Sequence, residues 1–434
     1  MKDTALAPYF KWLRGSSSLR WRGRVTQVIG NLVESDGPFC SIGELCEIVG
    51  DADSRAWGEV IGFRGSCVLS MPLGKTEGIR LGDQIVAWGS RPSLRVGPRM
   101  LGRVIDPTGR PLDGMEPYPA DRAVLYHGSA PLPLSRKPIR EPLGCGIRAV
   151  DGFLTCGRGQ RVGIFGGSGV GKSTLIGMMA RGTAADLTVL ALVGERGREV
   201  GDFLETLGDG LKRSVVVVTT SDQSPLLRIR AALAATAIAE YFCRQGKHVL
   251  LVVDSLTRFA MAQREIGLGA GEPPTAKGYT PSVLTMMSRL VERAGCFSSG
   301  SITAFYTVLM EGDDQQDPIV DTSRSLLDGH IVLDRNLSAS NHYPPIAVLD
   351  SLSRLMPRVC TAEHVTKVKA LRNLLAAYAR AEDLVRIGAY QQGTDPVLDK
   401  AIATLPAVSR FLQQGPAESY SLPEAVQELM ALAS

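Results

Sequence analysis

Three things are scarce in this 434-residue sequence. No apolar run approaches the roughly 20 residues needed to span a bilayer, and Met1 to Gly15 carries Lys2, Lys11 and Arg14 among aromatics rather than a continuous signal-peptide core. The expected compartment is the cytoplasm. The 8 cysteines stand singly, with no Cys-x-x-Cys pair and no histidine at ligand spacing, which argues against a metal cluster or a disulfide framework. Charge of one sign is also missing, since 48 Lys and Arg face 44 Asp and Glu, so nothing demands nucleic acid as a partner. The exception is the start, where Lys2, Lys11, Arg14, Arg20, Arg22 and Arg24 face only Asp3. That end reads either as an arm that approaches anionic lipid or an acidic partner, or as a solvated arm.

What is present is ample apolar material, 44% of residues, for two or three packed domains. Pro8 opens a short helix with Tyr9, Trp12 and Leu13 on one side, giving a docking helix and linker over residues 1–18. Short β-rich runs follow over 19–90, among them Arg24 to Ile29, Glu59 to Phe63 and Gln84 to Trp88, and predict a small β-barrel. Over 91–357 apolar strand candidates recur at Val162 to Phe165, Leu187 to Val193, Val215 to Val218, Val249 to Val253, Ile302 to Val308 and Ile331 to Leu333. Helical runs such as Leu226 to Phe242 lie between several of them, which predicts an α/β domain with a mostly parallel sheet. Beyond Pro357 the strands stop, and helical spacing over Val365 to Ala381 predicts a helical domain over 358–434.

The strongest chemical signal is Gly166-Gly-Ser-Gly-Val-Gly-Lys-Ser173, a complete phosphate loop between a strand candidate and a helical run. Gly166, Gly167, Ser168, Gly169, Val170 and Gly171, with Thr174 beyond, are the nucleotide-binding candidates. The glycines let backbone N–H groups face phosphate, and the following helix adds its positive end. Lys172 is expected to reach the β- and γ-phosphates of ATP, and Ser173 to offer a hydroxyl to Mg²⁺. Val249-Leu-Leu-Val-Val-Asp254 delivers a carboxylate at the end of a buried strand, a second candidate for the Mg²⁺ shell. Gly194-Glu-Arg-Gly-Arg-Glu199 starts where another strand stops, so Glu195 is the candidate for orienting the attacking water. Taken alone, Glu195 reads first as a salt-bridged surface residue between Arg196 and Arg198.

These three elements, in this order, resemble the hexameric rotary-type ATPases that include ATP synthase catalytic subunits and the export ATPases of flagella and injectisomes. Leu154 to Phe165, Asp254 to Gly267, Gly271-Glu-Pro-Pro274, Gly300 to Val308 and Asp328 to Leu333 resemble the export branch. Phe259 to Arg264 and Glu382 to Tyr390 are most similar to its flagellar members. Gly167 departs from the alanine common in that branch, and the wording around Met310 to Pro318 and Gly278 to Pro281 varies slightly.

The resemblance implies a RecA-like core between an N-terminal barrel and C-terminal helices, and it implies roles that spacing does not show. Glu195 matches the catalytic carboxylate, Arg196 and Arg258 match arginines lining the nucleotide site, and Glu199 matches an acid near the metal's water shell. Arg354 matches an arginine that a neighbouring subunit inserts toward the γ-phosphate, and Tyr343 an aromatic against the adenine. Implied partners are five further copies in a homo-hexamer, a stator-like regulator at the N-terminus, a central stalk, chaperone–substrate complexes and export-gate membrane proteins, with peripheral association at the inner membrane. The competing readings are an RNA-translocating hexamer, a non-catalytic ring subunit and an ATP synthase-type rotary subunit.

Overall fold

A computed structural model describes residues 20–50, 54–128, 130–310 and 317–432. The expected docking helix over 1–18 lies outside them. The first described unit is a closed antiparallel barrel of β1 (Arg22–Ile29), β2 (Leu32–Ser35), β3 (Leu45–Val49), β4 (Arg55–Arg64), β5 (Cys67–Pro72) and β6 (Gln84–Ala87), in the order β1-β2-β5-β4-β3-β6 with β6 returning to β1. Alternation sends Val25, Val33, Cys46, Ile48 and Ile85 inward as its core. Gly30, at φ 56°, supplies the left-handed conformation of the tight turn between β1 and β2.

The nucleotide-binding domain is built on a nine-stranded sheet. Its path runs Leu352–Ser353, Gly329–Val332, Arg161–Gly166, Ser301–Leu309, His248–Asp254, Leu187–Glu195, Ser214–Thr220 and Val104–Ile105, with Gly295–Cys296 paired off the path to Ser301–Leu309. Apart from Leu352–Ser353 and Gly295–Cys296, neighbouring strands are parallel. Parallel strands are covered on both faces, which is why these runs are almost unbroken Val, Leu, Ile and Ala. The register aligns their C-terminal ends, so Gly166, Glu195, Asp254 and Leu309 finish on one edge of the sheet.

On one face lies the helix Pro225–Arg244, whose Ala231, Ala232, Ala234, Ala235 and Ala239 let it approach the sheet closely. Pro225 takes the first helical position, and Ser224 Oγ both accepts from Leu227 N and donates to the Leu73 carbonyl just after β5, tying this helix to the barrel. The other face carries the helix Lys172–Gly182 and the helical C-terminus. There Ala362–Arg386, Pro396–Leu412 and Leu422–Leu432 are the principal helices, two of them opened by side-chain caps from Thr361 and Asp395. Phe411 packs against Phe153 with ring centres 6.0 Å apart, and Arg148 pairs with Glu428 at 3.0 Å, so the helices are anchored to the domain that precedes them. Among the described residues the cysteines are unpaired, no cluster could hold a metal through histidine, cysteine and acid ligands, and no helix is long and apolar enough to cross a membrane.

Candidate active site

The strand Arg161–Gly166 leads straight into the phosphate loop, and the helix Lys172–Gly182 leaves it. Gly169 and Gly171 hold φ of 76° and 102°, values that side chains rarely adopt, so the loop's turn needs glycine at both positions. Gly171 stands before the helix without a side-chain cap, which leaves the first-turn N–H groups available to an anion. Lys172 is buried and folds back over the loop, donating to the carbonyls of Gly166, at 2.8 Å, and of Gly167. Burial lowers its pKa to about 8, opposed by the negative charges of Asp254 and Glu195.

Asp254 ends its strand fully buried, and Thr307 Oγ1, from the adjacent strand, donates to its Oδ1 at 2.6 Å. Burial raises the Asp254 pKa, while Thr307, Lys172 and Arg258 pull it down. With one oxygen held by Thr307, the carboxylate faces the cluster as a hard oxygen ligand, and together with Ser173 at the helix start it forms the donor set Mg²⁺ prefers. The residues present therefore fit that ion.

The sequence places Glu195 just past the strand Leu187 to Val193, but the strand in fact continues through it. Gly194, at φ 66°, shifts the register between Leu192 and Glu195 and redirects the chain there, helped by a bond from its own N–H to Thr219 Oγ1 at 3.1 Å. Arg258, in the helix after Asp254, binds the Glu195 carboxylate at 3.2 Å and also donates to the Gly194 carbonyl. The side chains of Glu195 and Glu199 lie within hydrogen-bonding reach of each other. Burial, then Glu199, then Asp254 push the more enclosed Glu195 up to about 8, while Glu199 is lowered by the same bond and by Arg196, which lies 3.4 Å away. Lys172, Asp254, Glu195, Glu199, Arg196 and Arg258 thus form one cluster around the phosphate loop.

Tyr343 stands at the mouth of a cleft of about 230 Å³ beside the loop, lined also by Gly171, Thr174, Leu175, Pro344 and Gln414. The Tyr343 hydroxyl is 3.0 Å from Ser338 Oγ, and its carbonyl accepts from Gln414 N at 2.8 Å. The cleft is mostly apolar, suited to an aromatic base. Gln414 comes from the C-terminal helices and Thr307 from a neighbouring strand, and sequence reasoning named neither. Thr307 was legible only as one of several hydroxyl residues in the strand Ser301–Leu309, set near its C-terminal end; Gln414 had no signal.

Arg354 is elsewhere. It follows the strand Leu352–Ser353, which runs antiparallel to Gly329–Val332, so it stands at the opposite edge of the sheet from the phosphate loop. Its backbone N–H donates to the Asp328 carbonyl at 3.0 Å and its exposed guanidinium to the Arg324 carbonyl at 3.2 Å. The Asp328 carboxylate in turn grips Arg161, the first residue of the phosphate-loop strand, with two bonds to its side chain at 3.0 and 3.1 Å.

Comparison with known proteins agrees with this arrangement along the whole chain. Residues 25–89 match the model of the ATP synthase alpha/beta family, beta-barrel domain; residues 146–353 match its nucleotide-binding domain; residues 360–431 match the T3SS EscN ATPase C-terminal domain. A flagellum-specific ATP synthase of Treponema pallidum (strain Nichols) is 51% identical over 436 residues, covering 100% of this chain and 97% of that protein. The Type 3 secretion system ATPase of Xanthomonas euvesicatoria is 48% identical over 411 residues, 94% of this chain and 93% of that protein. The structure of the assembled ATPase EscN from the enteropathogenic E. coli type III secretion system superposes with a TM-score of 0.91 at 43% identity, covering 95% of this chain and 100% of that one. This chain belongs to the ATP synthase alpha/beta family, and within it to the flagellar and type III export ATPases, ATP-hydrolysing motor subunits.

Proposed function

We propose that the chain hydrolyses ATP with Mg²⁺ at the interfaces of a closed ring of six copies, and that the released energy drives substrates into a protein-export gate. Bound Mg²⁺ supplies charge neutralisation on the β- and γ-phosphates. Lys172 and the N–H groups of the loop hold those phosphates, while Ser173 and Asp254 hold the metal with Glu199 near its water shell. Glu195 orients the attacking water and Arg258 and Arg196 fix the carboxylate pair. Tyr343 packs on the adenine. The observation that carries this reading is the placement of Glu195, held by Arg258 at 3.2 Å, with Lys172 and Asp254 on the strand edge that bears the phosphate loop.

Arg354 supports the ring. Within one chain it is across the sheet from the γ-phosphate position, so a catalytic role for it requires a neighbour's site. Among the solved relatives, EscN is an assembled ATPase, and in one structure it is in complex with its central stalk EscO. By that likeness a central stalk, a stator-like regulator at the N-terminus, chaperone–substrate complexes and gate membrane proteins are the partners of this chain, at the cytoplasmic face of the inner membrane. The flagellar branch is favoured by its flagellum-specific relatives in Bacillus subtilis (strain 168) and Treponema pallidum, 50% and 51% identical. The test is ATP turnover per subunit across a protein dilution series with Mg²⁺. Specific activity is expected to rise with concentration; a flat profile, or turnover only on adding RNA, would overturn the ring-motor reading.

A further inference from the structure

The barrel does not close tightly on the nucleotide-binding domain. Between them is a cleft of about 340 Å³, within the range of small-molecule sites. Its floor is apolar, formed by Leu226, Ile229, Leu233 and Ile266 from the helices Pro225–Arg244 and Leu256–Ala270, with Ile42 and Val60 from the barrel side. These helices pack on the sheet face opposite Lys172–Gly182, so the cleft is separate from the nucleotide site.

Its walls are cationic. Arg91 enters from the segment joining barrel to motor, Arg289 from the helix Pro281–Val291, Arg230 from the floor helix, and His127 from the loop above. One acid faces them: Glu59 on β4 binds Arg230 at 2.7 Å and lies 3.8 Å from His127. That pair neutralises Arg230 but leaves its Nε buried without a hydrogen-bond partner, in a residue 4% exposed. Arg91 and Arg289 are exposed at the cleft and pair with no acid among the described residues. Among the described residues the cleft thus sets an apolar floor beneath two guanidinium groups with no acid partner, so only the floor is poorly served by water. Guanidinium forks match carboxylate and phosphate geometry, and the apolar floor matches a hydrocarbon or aromatic body.

We propose that this cleft is a second ligand site, taking a small organic anion with an apolar body and a phosphate or carboxylate head held by Arg91 and Arg289. Bound there, the anion bridges barrel, connecting segment and motor domain, and so stiffens the joint between them.

Phenyl phosphate is the probe, titrated calorimetrically into the full chain with the phosphate loop saturated by MgADP, and benzoate is the second arm to separate phosphate from carboxylate recognition. Saturable binding of at least one probe is expected, weakened about tenfold or more by Arg91→Gln and by Arg289→Gln, the loss of a charge-assisted contact, and largely retained by Arg289→Lys. Both arginines are exposed and pair with no acid among the described residues, so the variants are expected to melt like the parent when no probe is present. Ile42→Glu, on the barrel lip, is an independent variant that sets a negative charge at the mouth and is expected to weaken binding likewise. Absence of saturable binding to the MgADP-loaded chain, or binding unchanged within about twofold in the Arg91→Gln, Arg289→Gln double variant, would overturn the proposal.

Discussion

Replacing Glu195 by Gln is expected to stabilise the nucleotide-free chain while removing its turnover. The carboxyl is raised from 4.5 to about 8, chiefly by burial and by the neighbouring Glu199. The sign follows from linkage. An acid whose folded pKa lies above its unfolded value binds its proton more tightly when folded, so the parent is destabilised as pH rises from 4.5 to about 8 and no further above that. At pH 7 the full shift would correspond to roughly 2.5 units at about 1.36 kcal/mol each, or about 3.4 kcal/mol. Partial solvent access and the interaction with Glu199 reduce this to about 1–2 kcal/mol. Gln carries no such penalty. Urea unfolding in EDTA without nucleotide, at pH 4.5, 6, 7 and 8.5, is expected to show the two proteins equal at the lowest pH and the variant ahead by a growing margin that levels off above about pH 8. Turnover with MgATP is expected to fall by about 10² to 10⁴. A Gln variant no more stable than the parent at pH 8.5, or ahead by the same margin at pH 4.5, would refute the reasoning.

Arg354→Ala is expected to lower kcat by about 10³ or more with little change in KM, and mixing it with Lys172→Ala, itself inactive, is expected to restore part of the activity, since each variant supplies the half-site the other lacks; steady-state kinetics on the mixture check this. Thr307→Val removes the donor to Asp254 Oδ1, which is expected to raise the Mg²⁺ concentration for half-maximal turnover about tenfold. Competition by Mn²⁺, followed by its electron-spin signal, reads the same affinity without turnover. Tyr343→Ala opens the cleft beside Gly171 and is expected to weaken ATP binding about tenfold, measured as a dissociation constant with a fluorescent nucleotide, while triphosphate binding is spared.

The sequence disclosed most where chemistry is local. The phosphate loop announces itself because glycine conformation and helix dipole act within eight consecutive residues, and the central strands because burial on both faces forces unbroken apolar runs. Glu195 and Asp254 followed from their places at strand ends. What stayed hidden depends on contacts distant in sequence. The barrel's order β1-β2-β5-β4-β3-β6 pairs β3 with β6 across intervening strands, and no local pattern encodes that closure. The Thr307 bond to Asp254 joins residues 53 apart, and Gln414 reaches the Tyr343 cleft from the far helical end. Arg354 carries no local mark at all: resemblance alone suggested its role, and only the antiparallel edge strand explains why it faces away from its own chain's loop.

That edge strand has a mechanical consequence. Arg354 hangs by its amide from the Asp328 carbonyl, and the Asp328 side chain holds Arg161, the root of the rod that carries the phosphate loop. The rod is six residues long, about 17 Å from root to tip. In the ring proposed above, a pull on Arg354 from a neighbouring site would therefore be delivered to the base of this chain's own loop through two hydrogen-bonded joints. Repeated around the proposed ring, the same linkage would join each pocket to the next through the sheet itself, as one gear wheel meshes with its neighbour.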